Sequence, residues 1–225
     1  MKSKLEDFEW LESRKLGFSW RTLVWQLFGA IGELVFKRPP PIIENASKQY
    51  LNLGAGDDSA HEFVNADFYR LHKWFSKGEY EWMVDLNKPL KCQDNYWDGI
   101  VLSHVNEHLS YISNYRLLVE LFRTLKPGGT LRLVMPDLQK YLSFKYEEND
   151  HPKMNRYKSH PEAVSNLAQN HAHISIWDYE LMRTVLEEIG FLNIKQVAFG
   201  EGSDPKLLID RENHKWQSFY CEASK

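Results

Sequence analysis

Four short apolar runs lie between residues 50 and 104, and each ends in residues typical of turns or strand ends. The runs are YLNLGAG (50–56), FVNADF (63–68), EWMVDL (81–86) and DGIVLSH (98–104). Runs of this length that are bounded by glycine and aspartate are typical of strands buried inside a sheet. The pattern therefore predicts four strands before the first long helix.

The spacing of apolar residues then changes to that of a helix. Four leucines share one face over residues 113–126, and K-P-G-G (126–129) should end the helix. TLRLVMPD (130–137) predicts a fifth strand, NIKQVAF (193–199) a sixth and SFYCEA (218–223) a seventh. A second amphipathic helix is predicted over 177–189, before Gly190. Alternating strands and helices predict an α/β, Rossmann-like doubly wound sheet that is mostly parallel.

Two segments depart from this alternation. Residues 1–45 contain apolar residues at helical spacing from Leu23 to Val35, followed by three prolines, and predict a helical segment with a stiff linker. Packing on the main domain or on a second subunit fits this segment better than a membrane surface, since its polar side has few basic residues. Residues 138–170 are polar and mixed in charge, and we expect an inserted lid or loop within a domain that spans 46–225.

The composition of the chain limits which partners and cellular settings are expected. The chain has 225 residues, 43% of them apolar, so one domain is expected. Its net charge is -3 and charges of both signs are well mixed, so nucleic acid is not a favoured partner. Two distant cysteines without C-x-x-C spacing predict neither a disulfide framework nor a zinc ribbon. With no apolar run long enough for a membrane span and no signal peptide, a reduced, cytoplasmic setting is the expectation.

The strand ends carry the candidate chemistry, because ligands of an open parallel sheet bind beyond the carboxyl ends of its strands. Gly54 and Gly56 would let a ligand approach the backbone closely and point amides at it, and Asp67 could accept hydrogen bonds from both ribose hydroxyls. A dinucleotide and an adenosyl cofactor both fit these residues. The dinucleotide is the weaker interpretation, because the third glycine of G-x-G-x-x-G is missing and Asp67 follows Gly56 by only eleven residues, against roughly 20 in that motif.

A resemblance to a known family is carried by LNLGAGDD, NADF, VDLNKPLKCQDNYWDGIVLSHVNEHL and ELFRTLKPGGTLRLVMPDL. These segments resemble the class I S-adenosylmethionine-dependent methyltransferases of the type 11 group, and most closely the predicted branch that accompanies surface-polysaccharide genes. The resemblance covers about residues 48–225. It implies a seven-stranded sheet with a final antiparallel strand, S-adenosylmethionine as cofactor, and methyl transfer to a sugar hydroxyl of a glycan or to a small polar metabolite.

The resemblance also implies a set of residues around the cofactor. Gly54 and Gly56 would surround its methionine part, and Asp67 would hold the ribose. Asp85 and Leu86 would border the adenine, and Ser103 and His104 would lie near the methyl group. The full predicted set is Leu53, Gly54, Ala55, Gly56, Asp67, Asp85, Leu86, Ser103 and His104. The loop 57–61 is too short for the helix that most relatives have there, which leaves the contacts of Asp57 and Asp58 open.

Methyl transfer to a hydroxyl needs an aligned acceptor and a group that removes the proton. His104 is the leading candidate for this base; Asp137 is a second base or a group that orients a histidine, and His108 is a reserve. Substrate contacts are predicted for His171, His173, Tyr141 and Arg211. His214, in the same polar stretch as Arg211, is expected at the solvated surface.

Residues 104–108 also spell H-x-x-E-H, a pattern of zinc peptidases. That function needs both histidines one turn apart on a continuous helix, whereas His104 should end a strand, with Glu107 and His108 beyond it in a loop or first helical turn. No metal is therefore predicted.

Two other functions remain open. One is an NAD-dependent oxidoreductase or epimerase. The other is a non-catalytic binding module on the methyltransferase fold, in which the N-terminal helix is the working surface. A homodimer or a protein contact through that helix is compatible with each of them.

Overall fold

The computed structural model describes residues 39–44, 46–56, 59–68, 81–143 and 151–225. The predicted helix in the N-terminal segment lies outside these ranges, as do Asp57 and Asp58. No helix in the described part of the chain is long and apolar enough to cross a membrane.

Seven strands form one sheet. They are β1 (Tyr50–Leu53), β2 (Val64–Asp67), β3 (Trp82–Met83), β4 (Trp97–Ser103), β5 (Leu125–Pro136), β6 (Leu192–Val197) and β7 (Ser218–Ser224). Their order in the sheet is β3-β2-β1-β4-β5-β7-β6. β7 pairs antiparallel with both β5 and β6, while the pairs from β3 to β5 are parallel. The predicted sheet, including its final antiparallel strand, is confirmed.

Helix α1 (Tyr111–Thr124) packs its leucine face into the main core. Ser110 caps it by accepting a hydrogen bond from the Ser113 amide, and Leu117, Leu118 and Leu121 are buried. The prediction that this helix runs to Lys126 was wrong by two residues. Leu125 already has extended backbone and pairs with Trp97, and K-P-G-G lies within β5 as an irregular stretch where the register to β4 shifts.

The described parts of the segment 138–170 contain three short helices and not a single irregular loop, while its role as a lid stays a prediction. It contains α2 (Leu138–Ser143), α3 (Pro152–Asn155) and α4 (His160–Gln169). These helices share a small hydrophobic cluster of their own, formed by Tyr141, Met154, Tyr157, Ala163 and Leu167. The apolar residues of the cluster are spread over several short elements, so a clear apolar period appears only at AVSNLAQ (163–169), in the last of the three helices.

The second predicted amphipathic helix is confirmed as α5 (Tyr179–Ile189). The Asp178 side chain caps its start by accepting from the Leu181 amide, and Gly190 ends it in the left-handed conformation with φ 106°. Glycine is favoured at this position because it has no Cβ to strain the turn.

Candidate active site

A glycine turn joins the end of β1 to the rest of the candidate site. Gly54 and Gly56 have φ of 75° and 54°, the left-handed region that favours glycine. A Cβ on Gly54 would overlap the side chain of Val105, so no larger residue fits there. The amides of Gly54 and Ala55 both donate to the Ala66 carbonyl, at 2.8 and 3.1 Å, and so tie the turn to β2 instead of pointing at a ligand.

Asp67 lies at the carboxyl end of β2, against this turn. Its Oδ2 accepts a hydrogen bond from the Gly56 amide at 2.8 Å, and its Oδ1 accepts from the Phe68 amide at 2.6 Å. The structure therefore brings together the predicted glycines and the predicted ribose acceptor. Each carboxylate oxygen has a second lone pair, which leaves both able to accept from a hydroxyl.

The predicted adenine neighbours lie in the turn after β3. Asp85 Oδ1 accepts from the Asn87 amide at 3.0 Å, and Oδ2 lies 3.3 Å from Lys88 Nζ. Leu86 is partly buried and packs against the main core. These contacts give both residues a part in forming the turn. Leu53 and Ala55 are buried in the core beside the glycines.

The tip of β4 separates the glycine turn from a cavity. Ser103 follows Leu102, which is in register with Leu53, so it lies at the level of Gly54. Its hydroxyl is buried and forms no hydrogen bond with any described residue. His104 then adopts φ 55°, a left-handed conformation that is uncommon for a residue with a side chain. As the overlap with a Gly54 Cβ shows, Val105 packs directly on the glycine turn.

His104 is held on both sides of its ring. Nδ1 lies 3.0 Å from Oε1 of the buried Glu107, and Nε2 lies 2.8 Å from the Ser218 hydroxyl on β7. Its ring also packs against that of His214, with centroids 3.9 Å apart. Because a carboxylate accepts only, the hydrogen of a neutral His104 ring belongs on Nδ1, and Nε2 carries the lone pair.

Beyond β4, Glu107 and His108 lie in a 3₁₀ turn, Asn106–His108, and α1 starts only at Tyr111. The expectation that these residues leave the strand in a turn is confirmed. His104 and His108 do not share a continuous helix.

A cavity of about 380 Å³ opens on the far side of this segment. Five predicted residues line it: His104, His108, His171, His173 and Tyr141. The Tyr141 hydroxyl donates to Gln217 Oε1 at 2.9 Å, and burial raises its pKa above the usual range.

Two other predicted residues, Asp137 and Arg211, lie next in sequence to the cavity region. Asp137 follows Pro136, which lines the cavity, and its Oδ1 accepts a hydrogen bond from the Gln139 amide at 3.0 Å, at the start of α2. The Arg211 carbonyl accepts from the His214 amide at 3.0 Å. Roles in catalysis for Asp137 and in substrate binding for Arg211 stay predictions.

Several lining residues were missed by the sequence analysis. They include His214, Trp216, Lys153 and Arg156. His214 was expected at the surface but is half-buried: burial first, and then the neighbouring His104, lower its pKa to about 4. These residues come from short helices and connections without a clear apolar period. The one available signal in the sequence is the concentration of aromatic and basic residues around 151–157 and 211–217.

Glu107 is the buried charge of the site. Burial works to raise its pKa, but the adjacent His104 and the charge of His108 outweigh burial and lower that pKa below its usual range. The carboxylate is therefore the favoured form, and it can orient the His104 ring.

No model of a known protein family matches the chain, and a comparison with curated proteins gives no match either. Solved structures do match. A SAM-dependent methyltransferase from Archaeoglobus fulgidus is 17% identical, covers 92% of this chain and 100% of its own, and gives a TM-score of 0.50. A SAM-dependent methyltransferase from Methanosarcina mazei is 13% identical, with 81% and 94% coverage and a TM-score of 0.52.

Human N-acetylserotonin methyltransferase, solved in complex with SAM, is 14% identical, with a TM-score of 0.50. The match covers 90% of this chain and 55% of the human one. At these identities the likeness concerns the fold. This chain has the Rossmann-like fold of the SAM-dependent methyltransferases, as predicted.

Proposed function

We propose that this protein is an S-adenosylmethionine-dependent methyltransferase that methylates a hydroxyl of a polar acceptor, either a sugar of a glycan or a small polar metabolite. The main support is that one short segment contacts both the glycine turn and the cavity. Within residues 103–108, Val105 packs on the glycine turn while His104, Glu107 and His108 line the cavity. A cofactor site and an acceptor site are thus adjacent across one short segment.

The residues at the glycine turn fit this cofactor. A Cβ on Gly56 would meet nothing within 4 Å, so there is room over the turn, and Asp67 offers two acceptor oxygens beside it. The buried Ser103 hydroxyl, which lacks a described partner, would gain one from a ligand at this strand end. When bound, S-adenosylmethionine supplies an electrophilic methyl group on a sulfonium.

The sheet order supports this cofactor over a nicotinamide dinucleotide. The classic dinucleotide-binding sheet has the order 3-2-1-4-5-6, whereas here an antiparallel strand, β7, lies between β5 and β6. The missing third glycine of the dinucleotide motif points the same way.

His104 is the proposed general base. Its Nε2 lone pair is within 2.8 Å of the Ser218 hydroxyl, and the Glu107 carboxylate beside Nδ1 would stabilise the imidazolium that forms. An acceptor hydroxyl can deliver its proton to Nε2 by taking the place of Ser218 or by passing the proton through it. Ser218→Ala separates these routes, because only the relay needs the hydroxyl.

The cavity suits a polar acceptor with a flat apolar face. Trp216 and Tyr157 offer rings, and Lys153, Arg156 and Asn166 offer hydrogen-bond donors. This mixture is what a sugar ring requires, and it agrees with the resemblance to the branch that accompanies surface-polysaccharide genes.

The cofactor is tested by calorimetry of the full chain with S-adenosylhomocysteine and, separately, with NAD. We expect binding of the former, and a loss of about 10- to 100-fold in Asp67→Ala, because hydrogen bonds to a charged group contribute roughly 1.5–3 kcal/mol. Binding of NAD alone would refute the proposal.

The base is tested by transfer of labelled methyl groups to a panel of glycans and polar metabolites. His104→Gln should lower kcat by about 10²- to 10⁴-fold while cofactor affinity is unchanged. His61→Gln, a change at an exposed residue outside the cavity, serves as the control. Full activity of His104→Gln on an acceptor that the wild type methylates would exclude His104 as the base.

A further inference from the structure

Three metal-ligating side chains converge at one end of the cavity. One potential ligand atom from each of Glu107, His108 and His173 lies within 4.8 Å of the other two. Glu107 and His108 come from the 3₁₀ turn after β4, and His173 comes from the connection between α4 and α5. We call these three residues the Glu–His–His cluster.

Both histidines of the cluster are oriented by backbone carbonyls. His173 Nδ1 lies 2.6 Å from the Leu167 carbonyl, and His108 Nδ1 lies 3.4 Å from the Ala172 carbonyl. A carbonyl only accepts, so each Nδ1 carries the hydrogen and each Nε2 keeps its lone pair for another partner. Histidines that ligate metals have this arrangement in most sites, since the backbone contact fixes the tautomer and the ring.

Glu107 supplies an independent observation. Only 2% of the residue is exposed, and its Oε2 accepts no hydrogen bond from any residue that the structure describes. Its Oε1 lies 3.0 Å from His104 Nδ1. A buried carboxylate is costly unless its lone pairs are compensated, and a cation at the cluster would compensate the second oxygen.

The backbone beside His173 is also held in an uncommon conformation. His171 and Ala172 both have φ of 60°, a left-handed conformation that is unfavourable for residues with a side chain. The amides of Ile174 and Ser175 donate to the Glu107 carbonyl at 2.7 and 3.1 Å and so fix the segment against the 3₁₀ turn. This strained connection places His173 opposite Glu107.

From these observations we propose that the Glu–His–His cluster binds a divalent transition metal ion, with zinc as the best match. Two imidazoles and one carboxylate suit Zn²⁺ and its first-row neighbours, whereas Mg²⁺ and Ca²⁺ prefer sites built from oxygen alone. Three protein ligands leave a coordination position open, as in catalytic zinc sites. If the proposed methyltransferase function holds, an acceptor oxygen can take that position, and this last step alone rests on the proposed function.

The cluster differs from the zinc site that the H-x-x-E-H pattern would form. His104 lies outside the cluster and contacts Glu107, while the third ligand comes from a distant connection. The prediction of no metal was made from the spacing of the pattern, and the close pair His171 and His173 was assigned to substrate contacts instead.

The test is calorimetry of the full chain, freed of metal by a chelator and without any cofactor, titrated with Zn²⁺ and separately with Mg²⁺. We expect one Zn²⁺ per chain and no measurable Mg²⁺ binding. Glu107→Gln, His108→Gln and His173→Gln should each weaken Zn²⁺ binding by at least about 10-fold. His151→Gln, a histidine that stacks on Trp216 instead, should leave Zn²⁺ binding unchanged.

Equal Zn²⁺ affinity in the wild type and the three cluster variants would overturn the proposal, as would the absence of Zn²⁺ binding. His108 is exposed, so its variant should fold even if a change at the buried Glu107 prevents folding. The outcome is independent of methyl transfer. Zinc binding without methyl transfer to any acceptor would leave the site in place and count against the proposed function, and cofactor-dependent transfer without zinc binding would do the reverse.

Discussion

Two clusters of buried charge near β5 and β7 differ in how completely their charged atoms are hydrogen-bonded. In the first, Arg132 is completely buried between Asp210 and Glu222. Its Nε donates to Asp210 Oδ1 at 2.9 Å, and its Nη1 donates to Glu222 Oε1 at 3.0 Å and to the Glu201 carbonyl at 2.9 Å. The other Glu222 oxygen accepts from the amide and the hydroxyl of Ser203, both at 2.8 Å.

The second cluster is centred on Glu107, which is as deeply buried as Glu222. One of its oxygens lies 3.0 Å from His104 Nδ1, and the other accepts no hydrogen bond in the described part of the chain. The residues around it include three with positive φ: His104, His171 and Ala172. A buried charge with all its partners is explained by the fold, whereas one that lacks a partner beside a cavity points to a ligand.

The largest effect that this comparison predicts is at Arg132. Arg132→Met leaves two buried carboxylates without their cation, so the free energy of unfolding should fall by about 3–5 kcal/mol. Urea denaturation measures it. Arg183→Met, which removes a half-exposed arginine with ion pairs on the surface of α5, should cost less than about 1 kcal/mol. Similar losses of unfolding free energy in the two variants would mean that the buried network stabilises the protein no more than surface ion pairs do.

The same substitution at the two glutamates sharpens the contrast. Glu222→Gln weakens hydrogen bonds to charged and neutral donors and should cost about 1.5–3 kcal/mol. Glu107→Gln affects a carboxylate with fewer hydrogen-bond partners, so the free energy of unfolding should fall by less, by about 1 kcal/mol. Denaturation of the metal-free proteins compares the two. A loss at Glu107 as large as at Glu222 would show that Glu107 has a structural role.

A third prediction concerns the packing of the first cluster. A Cβ on Gly202 would overlap the Glu222 carboxylate and lie 3.0 Å from Arg132 Nη1. Gly202→Ala should therefore reduce the free energy of unfolding by about 1–3 kcal/mol through overpacking. Ser203→Ala, which removes one hydrogen bond to the same carboxylate without adding volume, should cost about 1 kcal/mol. The opposite ranking would show that the network has room to adjust.

The last prediction concerns the pH dependence of stability, and it belongs to the second cluster. Burial lowers the pKa of His214 from 6.5 to about 4, so between these values the unfolded chain binds more protons than the folded one. Stability should thus decrease as the pH falls from 6.5 towards 4. In thermal denaturation, Tm of His214→Gln should fall less steeply over this range than Tm of the wild type. An unchanged slope would mean that His214 titrates normally in the folded protein.

Much of the fold followed from local patterns. The apolar runs from 50 to 104 became β1 to β4, and the helix ended by Gly190 was found where its apolar period and cap predicted it. The errors came where local signals compete. K-P-G-G was taken for a helix stop, but it is an irregular part of β5 that pairing with β4 and Lys225 stabilises. The first two helices within 138–170, with six and four residues, are too short to reveal an apolar period.

The sequence by itself determined the sheet, the glycine turn and the approach of Asp67 to that turn, because these depend on apolar periodicity and on the rule that parallel strands end at one edge. Only the tertiary structure decided what surrounds His104 and Glu107. Ser218, His214 and His173 reach them from distant turns and connections, where no periodic pattern constrains the chain. Such contacts are set by how the chain packs around the sheet as a whole, so residue order alone leaves them undetermined.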